Sequence, residues 1–321
     1  MRILITGGFG YIGGRLGQHL QKLGHQVILG SSTKDIAPNW LPDVKVVKTN
    51  WTDNQALKEI CNQVDVVIHA AGMNAKDCAE DPIAALEING LATARMVNAA
   101  MLAGVKKFIY LSTAHVYASP LVGVITENTC PRNIHPYATS HLAGENVVLN
   151  ANQQRGKIEC LVLRLSNAFG APVNVDANCW MLLANDLCRQ ALVTQRLVLQ
   201  SSGTQQRDFI AMSEVCRVIE YLSSHPTDVL STKVINTGSG VSKSVLQMAQ
   251  LIQQRCIVLF GFEPEIQRPN PINNEAYEPL DYRTDRLSEV GLNVSVDNVV
   301  EVDELLNFCQ LAFGKMRGED T

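Results

Sequence analysis

The chain opens on a short apolar run, Arg2–Thr6, that leads straight into glycines at 7, 10 and 13 and then into a helical stripe of Ile12, Leu16, Leu20 and Leu23. Few folds accept that order. A run of this kind reads as a buried strand, and apolar residues three and four apart read as one face of a helix. Glycine in the turn between them permits positive φ, and the missing side chain lets a ligand's phosphates approach the backbone. The helix N-terminus then offers unpaired N–H donors and a partial positive charge. Gly7, Gly10 and Gly13, with Tyr11 and Ile12 between them, are therefore read as the cradle of a dinucleotide pyrophosphate. Their spacing departs from G-x-G-x-x-G, but the mechanics are the same.

The same alternation continues. Gln26–Leu29, Val44–Lys48, Val64–His69, Lys107–Ser112 and Ile158–Arg164 read as strands, with helices between them near Asn54–Cys61, Pro82–Leu102 and Pro136–Gln153. Strands that alternate with helices imply an α/β fold, a doubly wound parallel sheet of the Rossmann kind covered on both faces. Beyond Phe169 the pattern loosens. Met181–Leu192 and Val245–Gln254 still read as helices, while Glu263–Pro279 holds four prolines and reads as loop or edge structure. The expected division is a dinucleotide-binding core of 1–168 and about 205–237, and a smaller C-terminal α/β substrate lobe of about 169–204 and 238–321.

At 321 residues with 46% hydrophobic and 18% charged side chains, the chain fills a substantial core. A net charge of −4 argues against a nucleic-acid footprint, which is basic and clustered. The nine cysteines include no C-x-x-C pair and are odd in number, so neither a metal site nor a disulfide framework is indicated. Buried thiols in a reducing cytoplasm are expected. A strand begins directly after Met1, leaving no room for a signal peptide, and no apolar stretch of about 18 residues calls for a membrane span.

An acid at the end of the second strand would bond the adenosine ribose and favour NAD. The run here is Leu29-Gly30-Ser31-Ser32-Thr33-Lys34, with Gly30 read as the acid's position. Ser31, Ser32 and Lys34 then make a cradle for a 2′-phosphate, which favours NADP over NAD, although a polar loop alone explains them too. Asn50, with Trp51 beside it, ends the third strand at the expected adenine edge, and Ala70-Ala71-Gly72 is small enough for the cofactor to pass.

Further markers are Asn89-Gly90, Leu111-Ser112-Thr113-Ala114-His115-Val116-Tyr117, Tyr137-x-x-x-His141, Arg164–Gly170, Gln206-Arg207-Asp208-Phe209-Ile210 and Asn236-Thr237-Gly238-Ser239-Gly240. With these the chain resembles, over nearly its whole length, the extended short-chain dehydrogenases/reductases, in particular the nucleotide-sugar epimerases, dehydratases and reductases. The resemblance implies Tyr137 as general acid/base, Thr113 as the hydroxyl that orients the reacting sugar oxygen, and Asn89 in the cofactor wall. Where the family has lysine, this chain has His141, one helical turn after the tyrosine. Three readings stand open: His141 replaces the lysine, another cation or water does so, or the protein binds without turnover. The dehydratase branch carries an acid pair after the threonine, and Ala114-His115 stands there instead.

On the substrate side the resemblance points to Asn167, Asn178, the diphosphate-binding Arg207 and the late Asp281–Arg283 segment. It also implies a homodimer through the 82–102 and 136–153 helices. The leading expectation is NADPH-dependent reduction of a 4-keto nucleotide sugar. The alternatives are a C4 epimerase that retains NAD and a cofactor-binding protein with little turnover.

Overall fold

The computed structural model describes residues 1–153, 158–271 and 279–314. Seven parallel strands form the main sheet in the order Val234–Thr237, Glu159–Leu165, Lys107–Thr113, Val66–His69, Arg2–Thr6, Gln26–Ser31 and Lys45–Lys48. The chain builds outward from the first strand, then returns to its other side. That reversal between Arg2–Thr6 and Val66–His69 opens a crevice at the strands' carboxyl ends, where such sheets bind ligands.

Side-chain alternation explains the two layers. Ile3, Ile5, Ile68, Ile109 and Leu163 pack with Leu16 and Leu20 of the Tyr11–Lys22 helix and Val215 and Ile219 of the Met212–Ser224 helix. Leu4, Val67, Phe108, Tyr110 and Val162 face the other way, onto Met96, Val97 and Val148. Period-two patterning thus feeds both faces of one sheet.

Pro82–Leu102 is not one continuous α-helix. Pro82–Ala85 and Thr93–Leu102 flank a π-helical segment, Leu86–Ala92. Gly90 sits at this widening, where an added Cβ would lie 3.5 Å from that of Ala143. The Asn89 carbonyl accepts the Thr93 hydroxyl at 2.7 Å. A π segment re-aims side chains within a helix, and here it turns Asn89 inward.

After Gly170, the helices Leu183–Thr194, Val245–Phe260 and Val299–Phe313 enclose a separate core of Phe169, Leu187, Phe209, Met248, Ile252 and Leu305. The segment 205–237 divides. Gln206–Ala211 pairs with Asn167–Phe169 and Ser242–Ser244, whereas Met212–Ser224 and Val234–Thr237 join the main layers. Within 263–279, Glu265–Gln267 pairs with Arg196–Val198, and 272–278 lies outside the described residues. Eight of the nine cysteines are buried and all are free. Among the described residues no helix is long and apolar enough to cross a membrane.

Candidate active site

A cavity of about 560 Å³ opens at the strands' carboxyl ends, between the sheet and the lobe. Gly7, Gly10, Tyr11, Ile12 and Gly13 form one wall. Gly7 holds φ +66°, and a Cβ there would lie 2.8 Å from the Ala70 carbonyl oxygen and the Ala71 nitrogen. At Gly13 a Cβ would lie 2.3 Å from the Gly7 oxygen, whereas at Gly10 only that oxygen is near, at 3.1 Å. Glycine closes the turn at Gly7 and Gly13 and leaves space at Gly10. No side chain caps the helix that starts here, and no acid stands in its first turn. Unpaired N–H groups at an open glycine turn fit a pyrophosphate. The Tyr11 hydroxyl is engaged elsewhere, donating to the Gly170 carbonyl at 2.8 Å, so it straps the first helix to the entrance of the lobe.

The region expected to read the adenosine ribose differs from the sequence reading. The second strand extends to Ser31, and a Cβ at Gly30 would press on Thr49 Cγ2 at 3.0 Å. Gly30 therefore answers a packing requirement between strands, and it is not a space left by a missing acid. The Ser31 hydroxyl accepts the Thr33 and Lys34 N–H groups, making the loop's own turn. Ser32 and Lys34 are exposed. Asn50 accepts from the Thr52 N–H and hydroxyl, and the Trp51 ring meets His69 edge-on at 5.8 Å. None of Ser31, Ser32, Lys34, Asn50 and Trp51 lines the cavity.

At the opposite wall, Thr113 ends its strand and Tyr137 starts the Pro136–Asn152 helix, with Pro136 at the first position and His135 capping the Tyr137 N–H. Thr113, Tyr137 and His141 all line the cavity, with Ala70 and Gly72 beside them. Burial holds the Tyr137 phenol above its ordinary pKa, the neighbouring Thr113 side chain opposes this, and Cys78 raises it further. The His141 ring meets the Tyr137 ring edge-on at 4.6 Å. Burial pushes its pKa down to about 4, so the imidazole is uncharged at neutral pH. Asn89 stands behind this wall. Its Oδ1 accepts the Met73 N–H at 2.8 Å, and its Nδ2 donates to the Ser140 hydroxyl at 3.0 Å. Ala71 is likewise outside the lining, its N–H directed at the Thr6 hydroxyl at 3.4 Å.

On the third side stand Asn167, Asn178, Arg207 and His115. Asn167 Nδ2 donates to the Asp208 carbonyl at 2.9 Å. Arg207 forms no ion pair with Asp208. Successive strand residues face opposite ways, and the Asp208 carboxylate instead accepts from Ser166, Ser239 and Gly240. Arg207 donates to Gln205 at 3.1 Å and lines the cavity. Burial lowers the His115 pKa, and the charge of Arg207 adds to this. Asp281 does not belong here. It lies on the Leu280–Tyr282 strand, paired with Arg283 at 2.6 Å and absent from the cavity lining. The lining residues that sequence reading passed over are chiefly Met73, Asn74, Asp77, Ser166 and Met181. Asn74 and Asp77 carry a legible helix-cap spacing, but it announces a turn and not a ligand.

The profile of the NAD dependent epimerase/dehydratase family matches residues 3–238. A putative UDP-glucose 4-epimerase of Methanocaldococcus jannaschii is 26% identical over 279 residues, covering 86% of this chain and 88% of that protein. UDP-glucose 4-epimerase of Neisseria meningitidis serogroup C is 26% identical over 295 residues, covering 83% and 86%. The solved structure of MoeE5 in complex with UDP-glucuronic acid and NAD superposes with a TM-score of 0.78 at 23% identity, over 97% of this chain and 100% of that one. At that identity the likeness is one of fold. The profile match runs through the glycine turn, the tyrosine helix and the strand of Arg207, and on that extent the chain belongs to the NAD dependent epimerase/dehydratase family, whose members are enzymes of nucleotide sugars.

Proposed function

We propose that this protein is a nucleotide-sugar C4 epimerase that retains NAD. One observation carries the reading: Tyr137, with Thr113 and His141 beside it in the lining, faces the open glycine turn across a single cavity. The 4-keto reduction expected from the loop at 30–34 loses its support, because Gly30 is a packing position and the family is NAD dependent. The curated relatives named above are UDP-glucose 4-epimerases, one of them putatively so.

The glycine turn and the first helix's N–H groups hold the pyrophosphate, and Gly72 and His141 stand where the nicotinamide ribose is expected. Bound NAD supplies a hydride acceptor that becomes the donor for the return step. Thr113 orients the sugar O4, and Tyr137 removes the O4 proton as the carbonyl forms, then gives it back after the keto sugar presents its other face. Arg207 and Asn178 hold the diphosphate, a task suited to the guanidinium fork. Ala114-His115 offers no acid pair, and elimination of water is not part of the reading.

The test is to denature purified protein, identify any released dinucleotide, and assay UDP-glucose and UDP-galactose interconversion without added cofactor. Retained NAD with interconversion supports the proposal. Net consumption of NADPH with a 4-keto sugar would restore the reductase. A homodimer belongs to the same reading, supported by exposed Ile83, Leu86 and Leu91 on the 82–102 stretch, and sedimentation measures it directly.

A further inference from the structure

His141 Nδ1 lies 3.0 Å from the Tyr110 hydroxyl, inside a wall where both side chains are buried. The tautomer follows from where the hydroxyl proton can go. Its other acceptor is the Asn89 carbonyl at 3.4 Å, beyond the usual range for an O–H···O bond, and that oxygen already takes the Thr93 hydroxyl at 2.7 Å. The shorter contact is the one to His141. If Nδ1 accepts, the neutral ring carries its proton on Nε2. Nε2 lies 3.9 Å from the point where a Gly72 Cβ would stand, on the cofactor side of the cavity.

The surroundings support a neutral ring. Tyr110 on the sheet and Tyr137 one turn earlier carry no charge, and His69, stacked behind Tyr110, is buried and neutral. Glu145, one turn later, is taken up by Arg164 and Ser112. The approach of Tyr110 also depends on Gly144, where a Cβ would lie 2.5 Å from the hydroxyl.

We infer that Tyr110 is a positioning residue: its hydroxyl donates to His141 Nδ1, fixes the Nε2–H tautomer, and so makes His141 a hydrogen-bond donor to a ribose hydroxyl of the dinucleotide. The chain thereby keeps the ribose contact of the lysine it lacks, without the lysine's charge. The purpose of this device rests on the epimerase reading; the tautomer itself does not.

The experiment uses full-length protein labelled with ¹⁵N-histidine and freed of any retained dinucleotide before NAD is added back. Long-range proton–nitrogen spectra distinguish protonated from bare ring nitrogens, and His141→Gln identifies the His141 signals. The expected spectrum shows a bare Nδ1 and a protonated Nε2 at neutral and mildly alkaline pH, with Nε2–H shifting on addition of NAD. Tyr110→Phe mixes the tautomers and weakens NAD binding about three- to tenfold, the loss of one hydrogen bond. Gly144→Ala, which crowds the same hydroxyl, disturbs the same signals. A protonated Nδ1, a doubly protonated ring, an unchanged spectrum in Tyr110→Phe, or an Nε2–H unmoved by bound NAD each overturns the inference. NAD binding followed separately by calorimetry keeps a failure of the cofactor reading distinct, since the tautomer is read without it.

Discussion

Arg164 and Glu145 meet through parallel hydrogen bonds, Nε to Oε1 at 2.9 Å and Nη2 to Oε2 at 2.5 Å, with side chains 6% and 1% exposed. The Ser112 hydroxyl donates to the same carboxylate at 2.5 Å, and the guanidinium lies 4.6 Å from the Tyr117 ring centroid. This cluster binds the strand Glu159–Leu165 to the helix that carries Tyr137 and His141.

Glu145→Ala strands a buried guanidinium and is expected to cost about 3–5 kcal/mol, read as a lower urea midpoint. A well-packed double replacement, Glu145→Met with Arg164→Met, recovers most of that loss, because a buried ion pair contributes little beyond its own desolvation cost. A single-variant loss below about 1 kcal/mol, the range of exposed pairs, would show that water reaches the site.

Tyr137→Phe removes the proton carrier and leaves the ring's packing against His141. Turnover is expected to fall about 10²–10⁴-fold while NAD affinity stays within experimental error. Stopped-flow formation of NADH from bound NAD and UDP-glucose measures the oxidation step alone.

Among the described residues no cation acts on the Tyr137 phenol, and burial holds it above the ordinary value. The form that removes a proton is the phenolate, whose population rises about tenfold per pH unit below the phenol's pKa. The sugar-oxidation rate is therefore expected to climb with pH from neutrality into the alkaline range. His141→Lys places an ammonium one turn away and should move that rising limb to lower pH. An unmoved limb would mean that bound NAD already sets the phenol's acidity.

Acid should unfold the protein in a window set by two imidazoles. Burial lowers His141 to about 4 and His69 to about 3, from an ordinary 6.5. Between those values the unfolded chain binds protons that the folded one refuses. Stability from this source is complete above about 6.5 and is lost as pH falls through the depressed values. For His141 the loss is about 3 kcal/mol. Urea titrations across that range measure it, and His141→Gln should flatten the slope.

Gly13→Ala places a methyl against the Gly7 carbonyl oxygen, where the distance of 2.3 Å admits no Cβ. Dinucleotide binding should fall sharply and stability by about 1–3 kcal/mol. Gly10→Ala, with no contact but Gly7 O at 3.1 Å, should leave stability nearly intact and reduce affinity, read by NAD titration.

Local chemistry was readable where a residue's task depends on its neighbours in the chain. Gly7 to Gly13 announces a strand, a turn and a helix start within a dozen residues, and Tyr137 with His141 shares a helix face by periodicity alone. The alternating strands of the first half gave the parallel sheet for the same reason. The π segment at Leu86–Ala92 was not readable, since it answers to Ala143, Tyr110 and Thr93 and not to its own periodicity.

What chain order alone determined is therefore the fold class, the glycine turn and the identity of the residues that share the tyrosine's helix. Packing between distant segments decided the rest. Thr49 against Gly30 turned an apparent missing acid into a packing position, and pairing of Leu280–Tyr282 with Gly123–Ile125 kept Asp281 on a separate strand. Tyr110, thirty-one residues away, meets His141 in a buried wall. A charge or a tautomer depends on the water and dipoles around a group, and those are set only when the chain has closed around it.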